Sequence, residues 1–288
     1  MGRGSAGLFV ELEELVALRE ADSALHAGSA VHAGSALHAA SALRSKQATS
    51  GQFRRAPATK SNERAVLLVV DQRLCMFFGS AQVTKSAFAA RVAALIAWRT
   101  IAAAARLGAV IVGEHRHWSL PAMGSSGEVM AMLEQLVEAG RALDGCRPGS
   151  NDPFRGALEA ASEQSPEDAL VMVISDLRGL SEHAISVLGR LRQRNDLLLG
   201  WVIDPIELAL PDPAPLVSEG LGEGSWPGSD AALRSALTAA FEQERARVRH
   251  LSLTLAAPHR QLRTDRPLLE QLRSTPRAPG RLPVGRVG

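Results

Sequence analysis

The sequence predicts an α/β fold: three layers around a doubly wound, mostly parallel sheet of the Rossmann-like kind. Three observations carry that expectation. Runs such as Ala65–Val70 (AVLLVV) and Ala169–Ile174 (ALVMVI) are apolar without alternation, as in strands covered on both faces. Such runs alternate with helical stretches, which gives βαβ units with right-handed crossovers. Three of the runs also end in an aspartate, Asp71, Asp176 and Asp204, and in open parallel sheets ligands gather outside the carboxyl ends of the strands.

The elements follow in order. Leu8–Arg19 has apolar residues at helical spacing and reads as an amphipathic helix. A period-six repeat follows (ALHAGS, AVHAGS, ALHAAS over 24–41), with His26, His32 and His38 at equal intervals. On a helix, steps of six turn by roughly 240°, so these histidines point three ways and do not converge on one metal. Ser45–Asn62 is polar and reads as a linker. The first strand is Ala65–Asp71, followed by an alanine-rich helix over about 84–106. Gly108–Gly113 is the second strand. Arg116–Leu120 is expected as a short antiparallel hairpin strand at one edge near Trp118, ended by Pro121. Ser126–Ala139 is a helix with Ser126 as candidate cap and Glu128 early in its first turn. Asp152-Pro153 starts the next helix, to Glu163. Ala169–Asp176 is a strand, Glu182–Arg194 a helix, and Leu197–Asp204 a strand stopped by Pro205. Pro211, Pro213 and Pro215 break the pattern, and Asp230–Arg249 is a long helix packed against the domain. The expected division is an N-terminal helix, repeat and linker (1–62) standing as an appendage, an α/β domain (63–258), and a C-terminal segment with a disordered basic tail (259–288).

Composition narrows the function. Of 288 residues 46% are apolar, enough for a full core, and the 22% that are charged suit an ordinary globular chain. A net charge of +2, no tyrosine and 4% aromatics argue against nucleic acid. Cys75 and Cys146 form no C-x-x-C pair, so a reducing cytoplasm is expected. No secretory signal is visible, and Arg91 and Arg99 inside the most apolar helix argue against a membrane span. No phosphate-loop motif and no G-x-S-x-G setting occurs.

Adjacent parallel strands lie about 4.8 Å apart, so acids at neighbouring strand ends can face one another. Asp71 and Asp176, with Glu114 after the second strand, are hard oxygen ligands of the kind that suit Mg²⁺ or Ca²⁺. The competing reading is that each aspartate caps the following turn, which is favoured for Asp204 because Pro205 follows it. His115 and His117 alternate on a short strand and read as surface or packing residues.

Five motifs in order resemble the domain of unknown function 58 family: VVDQRLCMFFGS, the Lys85–Trp98 helix, GAVIVGE, VISDLRGL at 173–180 and VIDPIELALP at 202–211. The resemblance covers Glu63–Pro211. It implies a von Willebrand factor type A-like domain and, as partner, a MoxR-type AAA+ ATPase acting in assembly or maturation of other proteins. Type A domains hold a divalent ion through D-x-S-x-S, a threonine in a later loop, and an aspartate after the fourth strand. Asp71 and Asp176 match the two aspartates, but Arg73 and Cys75 stand at the serine positions, and the loop at Ser150 and Asn151 is the candidate for the threonine. A thiol suits Mg²⁺ poorly, and arginine brings its own charge. The expectation is that Arg73 takes the cation's place beside Asp71 or Asp176; the alternative is that it points into solvent. Family members also carry a G-D-x-x-R-x-I-D-W core before the first strand, which Gly51–Asn62 lacks. The chain thus resembles a divergent member with a degenerate metal site and a shortened upstream region.

The expected function is a non-enzymatic protein-interaction module with a partner-binding or vestigial metal rim at Asp71, Arg73, Cys75 and Asp176. No cofactor is expected beyond Mg²⁺ as a candidate. The alternative is a metal-dependent hydrolase using the same acids, with His115 or His183 approaching in space.

Overall fold

The computed structural model describes residues 12–26, 64–81, 83–142, 152–209 and 231–273. The repeat beyond His26, the linker, Ser150 and Asn151, the prolines after 210 and the basic tail lie outside them. The elements are α1 (Leu12–His26), β1 (Val66–Asp71), α2 (Lys85–Ala102), β2 (Leu107–Val112), β3 (His117–Met123), α3 (Ser126–Arg141), α4 (Pro153–Gln164), β4 (Leu170–Ser175), α5 (Glu182–Arg194), β5 (Asp196–Ile203), α6 (Ala231–Thr254), β6 (His259–Arg263) and α7 (Leu268–Arg273). Short 3₁₀ turns follow β1 and β5 at Leu74–Met76 and Pro205–Glu207.

The six strands form one sheet in the order β3-β2-β1-β4-β5-β6. Every pairing is parallel except β2 with β3. This is a doubly wound sheet with an antiparallel edge, as the sequence predicts. The unbroken apolar runs have their cause in two cores. Leu68 and Val70 pack toward α1, α2, α3 and α7, while Leu67 and Val69 pack toward α4, α5 and α6. Alternate side chains leave opposite faces, so double coverage removes the polar half of the pattern. The alanines at 87, 89, 90, 93, 94 and 97 let α2 lie close between the sheet and its helical neighbours, and all are buried. Among the described residues no helix is long and apolar enough to cross a membrane.

Four details differ from expectation. The helix after β3 is capped by Ser125, not Ser126. Ser125 accepts from the Glu128 backbone N–H and Glu128 bonds back, a full capping box. Pro121 does not end β3; the strand runs on to Met123, with the register shift falling between Leu120 and Met123. An edge strand tolerates proline at such an irregularity. The sheet extends past residue 258: β6 pairs with β5, although HRQLR offers only Leu262 to the core. Finally, α1 is not an appendage. Leu15 is fully buried, its carbonyl accepts from Trp98 Nε1 at 3.1 Å, and Asp22 takes Arg99 in a fork at 2.7 and 3.1 Å. The two arginines within α2 are therefore neutralised by α1, Arg91 by Glu14 and Arg99 by Asp22.

Candidate functional site at the carboxyl edge of the sheet

The chain leaves β1 toward β2 on one side, and β4 lies on the other, so the strand order reverses between β1 and β4. A crevice opens at the carboxyl end of such a reversal. Asp71 ends β1 and Asp176 directly follows β4, which places both acids there. Asp204 follows β5, the next strand out.

Asp71 is fully buried and fully bonded. Its Oδ1 accepts from the backbone N–H and Nε of Arg73, both at 3.0 Å, and its Oδ2 from Arg73 Nη2 at 2.9 Å and Ser175 Oγ at 2.6 Å. The guanidinium thus grips the carboxylate bidentately, lies 4.6 Å over the Phe154 ring, and donates to the Arg178 carbonyl at 3.0 Å. Burial alone would depress the Arg73 pKa, but Asp71 outweighs it and the charge is held more firmly than usual. Arg73 points inward rather than into solvent.

Asp176 finds its cation elsewhere. Lys85 Nζ lies 2.8 Å from Asp176 Oδ2 and 3.1 Å from Glu207 Oε1, and Arg178 Nη2 lies 3.0 Å from the same Glu207 oxygen. Asp176 Oδ1 also accepts from the Arg178 backbone N–H at 3.0 Å. Lys85 is 1% exposed at the first position of α2, where the helix dipole disfavours a cation and no acid stands in the first turn. Burial pushes its ammonium pKa down, but Asp176 and Glu207 outweigh that and hold it above the ordinary value. Local backbone shapes support the cluster. Leu177 and Gly179 take positive φ of 60° and 68° in the turn after β4. A Cβ at Gly79 would sit 2.4 Å from the Val83 carbonyl, so glycine permits the tight loop that sets Phe78 against Lys85, ring centroid 6.0 Å from Nζ.

Asp204 takes the capping role expected of it. It accepts from Ile206 N–H at 3.1 Å, and Glu207 bonds back to its backbone N–H at 2.9 Å. It also binds Ser80, through backbone and hydroxyl, and Thr264. Glu114 accepts from the Leu74 backbone N–H at 2.8 Å. The histidines take no part in the carboxylate cluster: His183 pairs with Glu159 at 2.8 Å, the His117 ring lies 3.5 Å from where a Cβ on Gly156 would be, and His115 is exposed on the turn before β3.

One oxygen each of Asp71 and Asp176 and the Cys75 sulfur lie within 4.8 Å of one another. These residues do not fit a divalent ion. Asp71 already accepts four hydrogen bonds, Asp176 is held by Lys85 and Arg178, and two cations stand beside them. The Cys75 thiol is exposed at its edge but crowded behind; desolvation, then the Asp71 and Asp176 carboxylates, push its pKa up, so it stays protonated. Mg²⁺ asks for near-octahedral oxygen, which a protonated thiol does not supply.

Sequence reasoning identified Asp71, Arg73, Cys75 and Asp176, and the structure brings all four together. It missed Lys85, Glu207, Arg178 and Ser175. A lone lysine opening an otherwise alanine-rich helix was the available signal. A cavity of about 590 Å³ lies at the opposite, amino-terminal edge near Arg64, Arg99 and Arg260. These arginines are engaged by Asp196, Asp22 and the Gln271 carbonyl respectively, and Val66 and Leu170 at the amino ends of β1 and β4 line the cavity, so none of the carboxylate cluster reaches it.

A family model described as "Protein of unknown function DUF58" matches residues 49–249. Uncharacterized protein Rv1480 of Mycobacterium tuberculosis is 28% identical over 207 residues, 71% of this chain and 64% of its own length. Uncharacterized protein Mb1516 of Mycobacterium bovis matches to the same extent. The chain therefore spans less than two thirds of these curated relatives. Among solved structures, the conserved hypothetical protein BatB of Bacteroides thetaiotaomicron aligns at 15% identity with a TM-score of 0.45, over 73% of this chain and 94% of its own. An aerotolerance-related membrane protein of Bacteroides fragilis aligns at 13% identity and 0.42, over 69% and 92%.

Proposed function

The chain belongs to the DUF58 family, and on that footing we propose that it is a non-enzymatic protein-interaction module whose partner docks on the carboxyl edge of β1, β4 and β5. The observation that supports this reading is where the chain concentrates its buried charge. Buried Asp71 and Asp176 are paired with buried Arg73 and Lys85, and the more exposed Glu207 and Arg178 join them, at the one edge where such sheets bind. Buried ion pairs are poor stabilisers, so their gathering at a single rim speaks for shape and position rather than for holding the fold. Phe78 stands beside the network at 44% exposure, one of two exposed large apolar side chains among the described residues. An exposed aromatic next to a rigid polar platform is a common anchor for a protein partner.

The resemblance to von Willebrand factor type A domains supplies the context of the proposal: a MoxR-type AAA+ ATPase as partner, in assembly or maturation of other proteins. A metal-dependent hydrolase is the weaker reading. Hydrolysis needs a positioned base or nucleophile, whereas Ser175 Oγ is buried between Asp71 and the Leu177 N–H, and His183 is paired away from the rim.

The test is binding of the native protein to a purified MoxR-type AAA+ ATPase, compared with Phe78→Ala. Loss of a well-packed aromatic anchor costs more than about 1 kcal/mol, so affinity should fall by roughly tenfold. Equal affinity of the two proteins removes the rim as the docking surface. Mg²⁺- or Mn²⁺-dependent turnover that Asp71→Ala abolishes replaces this reading by the hydrolase.

A further inference from the structure

We infer that the Lys85 ammonium is the resident cation of this rim, occupying the place between Asp176 and Glu207 that an ion would otherwise take, so that the native protein works without a divalent metal. The inference stands whether or not the rim binds a protein partner.

Three observations converge on Lys85. The chain has three lysines, Lys46, Lys60 and Lys85, against 29 arginines (32 less 3). A chain that otherwise prefers arginine uses a lysine here. The choice has a physical sense, because an ammonium is a compact point charge while a guanidinium is a planar fork. Next, its surroundings are those of an ion: Nζ lies 2.8 Å from one carboxylate and 3.1 Å from another, in a side chain 1% exposed. Last, its position on α2 is electrostatically unfavourable, at the positive end of the helix. The two carboxylates, with the Phe78 ring 6.0 Å away, offset that cost.

The ion-paired groups also match one for one: Asp71, Asp176 and Glu207 carry three negative charges, and Arg73, Lys85 and Arg178 three positive ones. Buried Asp204 beside them is met by the Ser80, Ile206 and Thr264 donors. A divalent cation would have to enter among acids that already have their cations, at a cost in desolvation and repulsion. Removing the lysine takes one positive charge away. The vacated space is then flanked by the oxygens of Asp176 and Glu207, with one carboxylate charge no longer matched. A hard divalent ion can then enter where Nζ stood.

The experiment is a set of thermal melts with Mn²⁺ as probe, on the native protein, Asp176→Asn, Lys85→Ser and the double variant Lys85→Ser/Asp176→Asn. Serine is short enough to free the space and is compatible with a helix start. For the native protein, Mn²⁺ should give no saturable stabilisation that Asp176→Asn removes. For Lys85→Ser, Mn²⁺ should raise the melting temperature by about 5–10 °C at about 100-fold excess over its Kd, and the double variant should lose that rise. If Lys85→Ser folds only with Mn²⁺ present, that is the expected outcome in a stronger form. Two results overturn the inference: saturable Mn²⁺ stabilisation of the native protein that Asp176→Asn abolishes, or a folded Lys85→Ser protein indifferent to Mn²⁺. Should Lys85→Ser fold under neither condition, the native protein with its Asp176→Asn control decides alone.

Discussion

Replacing Arg73 by methionine keeps much of the aliphatic stem and removes the guanidinium. Three hydrogen bonds disappear, two to Asp71 at 3.0 and 2.9 Å and one to the Arg178 carbonyl at 3.0 Å, together with the stacking on Phe154. Charge-assisted hydrogen bonds contribute about 1.5–3 kcal/mol each when counted singly. They do not add, because they share one carboxylate. The larger effect is on what stays behind: Asp71, 0% exposed, keeps only Ser175 Oγ and the residue-73 backbone N–H as donors. Breaking a buried pair from one side costs about 3–5 kcal/mol. In a domain of this size that lowers the melting temperature by roughly 6–20 °C. Urea denaturation of Arg73→Met, Asp71→Asn and the double variant closes a thermodynamic cycle. Asparagine keeps an acceptor for Ser175, so the double variant should be less damaged than the sum of the singles, with a coupling of about 0.5–3 kcal/mol. A cost below about 1 kcal/mol for Arg73→Met, or strict additivity, would mean that Arg73 is a solvated side chain and that the account of the rim as an internally neutralised cluster is wrong.

Two further predictions concern titration. The folded-state pKa of Lys85 is raised above its ordinary 10.5, so its pairing stabilises fully below about pH 10.5 and is lost as pH climbs through the raised value. The stability gap between native protein and Lys85→Met, measured by urea denaturation, should therefore hold from pH 7 to 10 and narrow above it; a gap that closes between pH 5 and 8 contradicts the assignment. The chain has no tyrosine, which keeps that alkaline window clear of phenol titration. Cys75, exposed at its edge but with a raised pKa, should resist iodoacetamide at pH 8.5 in a Cys146→Ser background, reacting about tenfold or more slowly than the urea-unfolded chain. Equal rates would show that the nearby carboxylates do not hold its proton.

Much of the scaffold is legible in the amino-acid sequence, and for a local reason. A residue run such as Val66–Val70 carries the imprint of its own surroundings, because double coverage leaves no position where a polar side chain is tolerated. Asp152-Pro153 at the head of α4 and Asp204-Pro205 after β5 were equally plain, since a cap bonds within three residues of itself. Elements that draw on distant partners were not plain. β6 has one buried apolar residue and is a strand only because β5 offers an open edge. Seating of α1 depends on Asp22 meeting Arg99, 77 residues away.

The site divides along the same line. From the amino-acid order alone came the aspartates at the strand ends and the arginine and cysteine that follow the first of them, because these are facts of residue type and spacing. Only the tertiary structure decided which charge answers which. Arg73 turns back on Asp71 two residues away, while Lys85 crosses 91 residues to Asp176 and 122 to Glu207. Coulomb attraction acts through space, and the neighbours of β4 are set by the order of strands in the sheet, which no stretch of sequence spells out by itself.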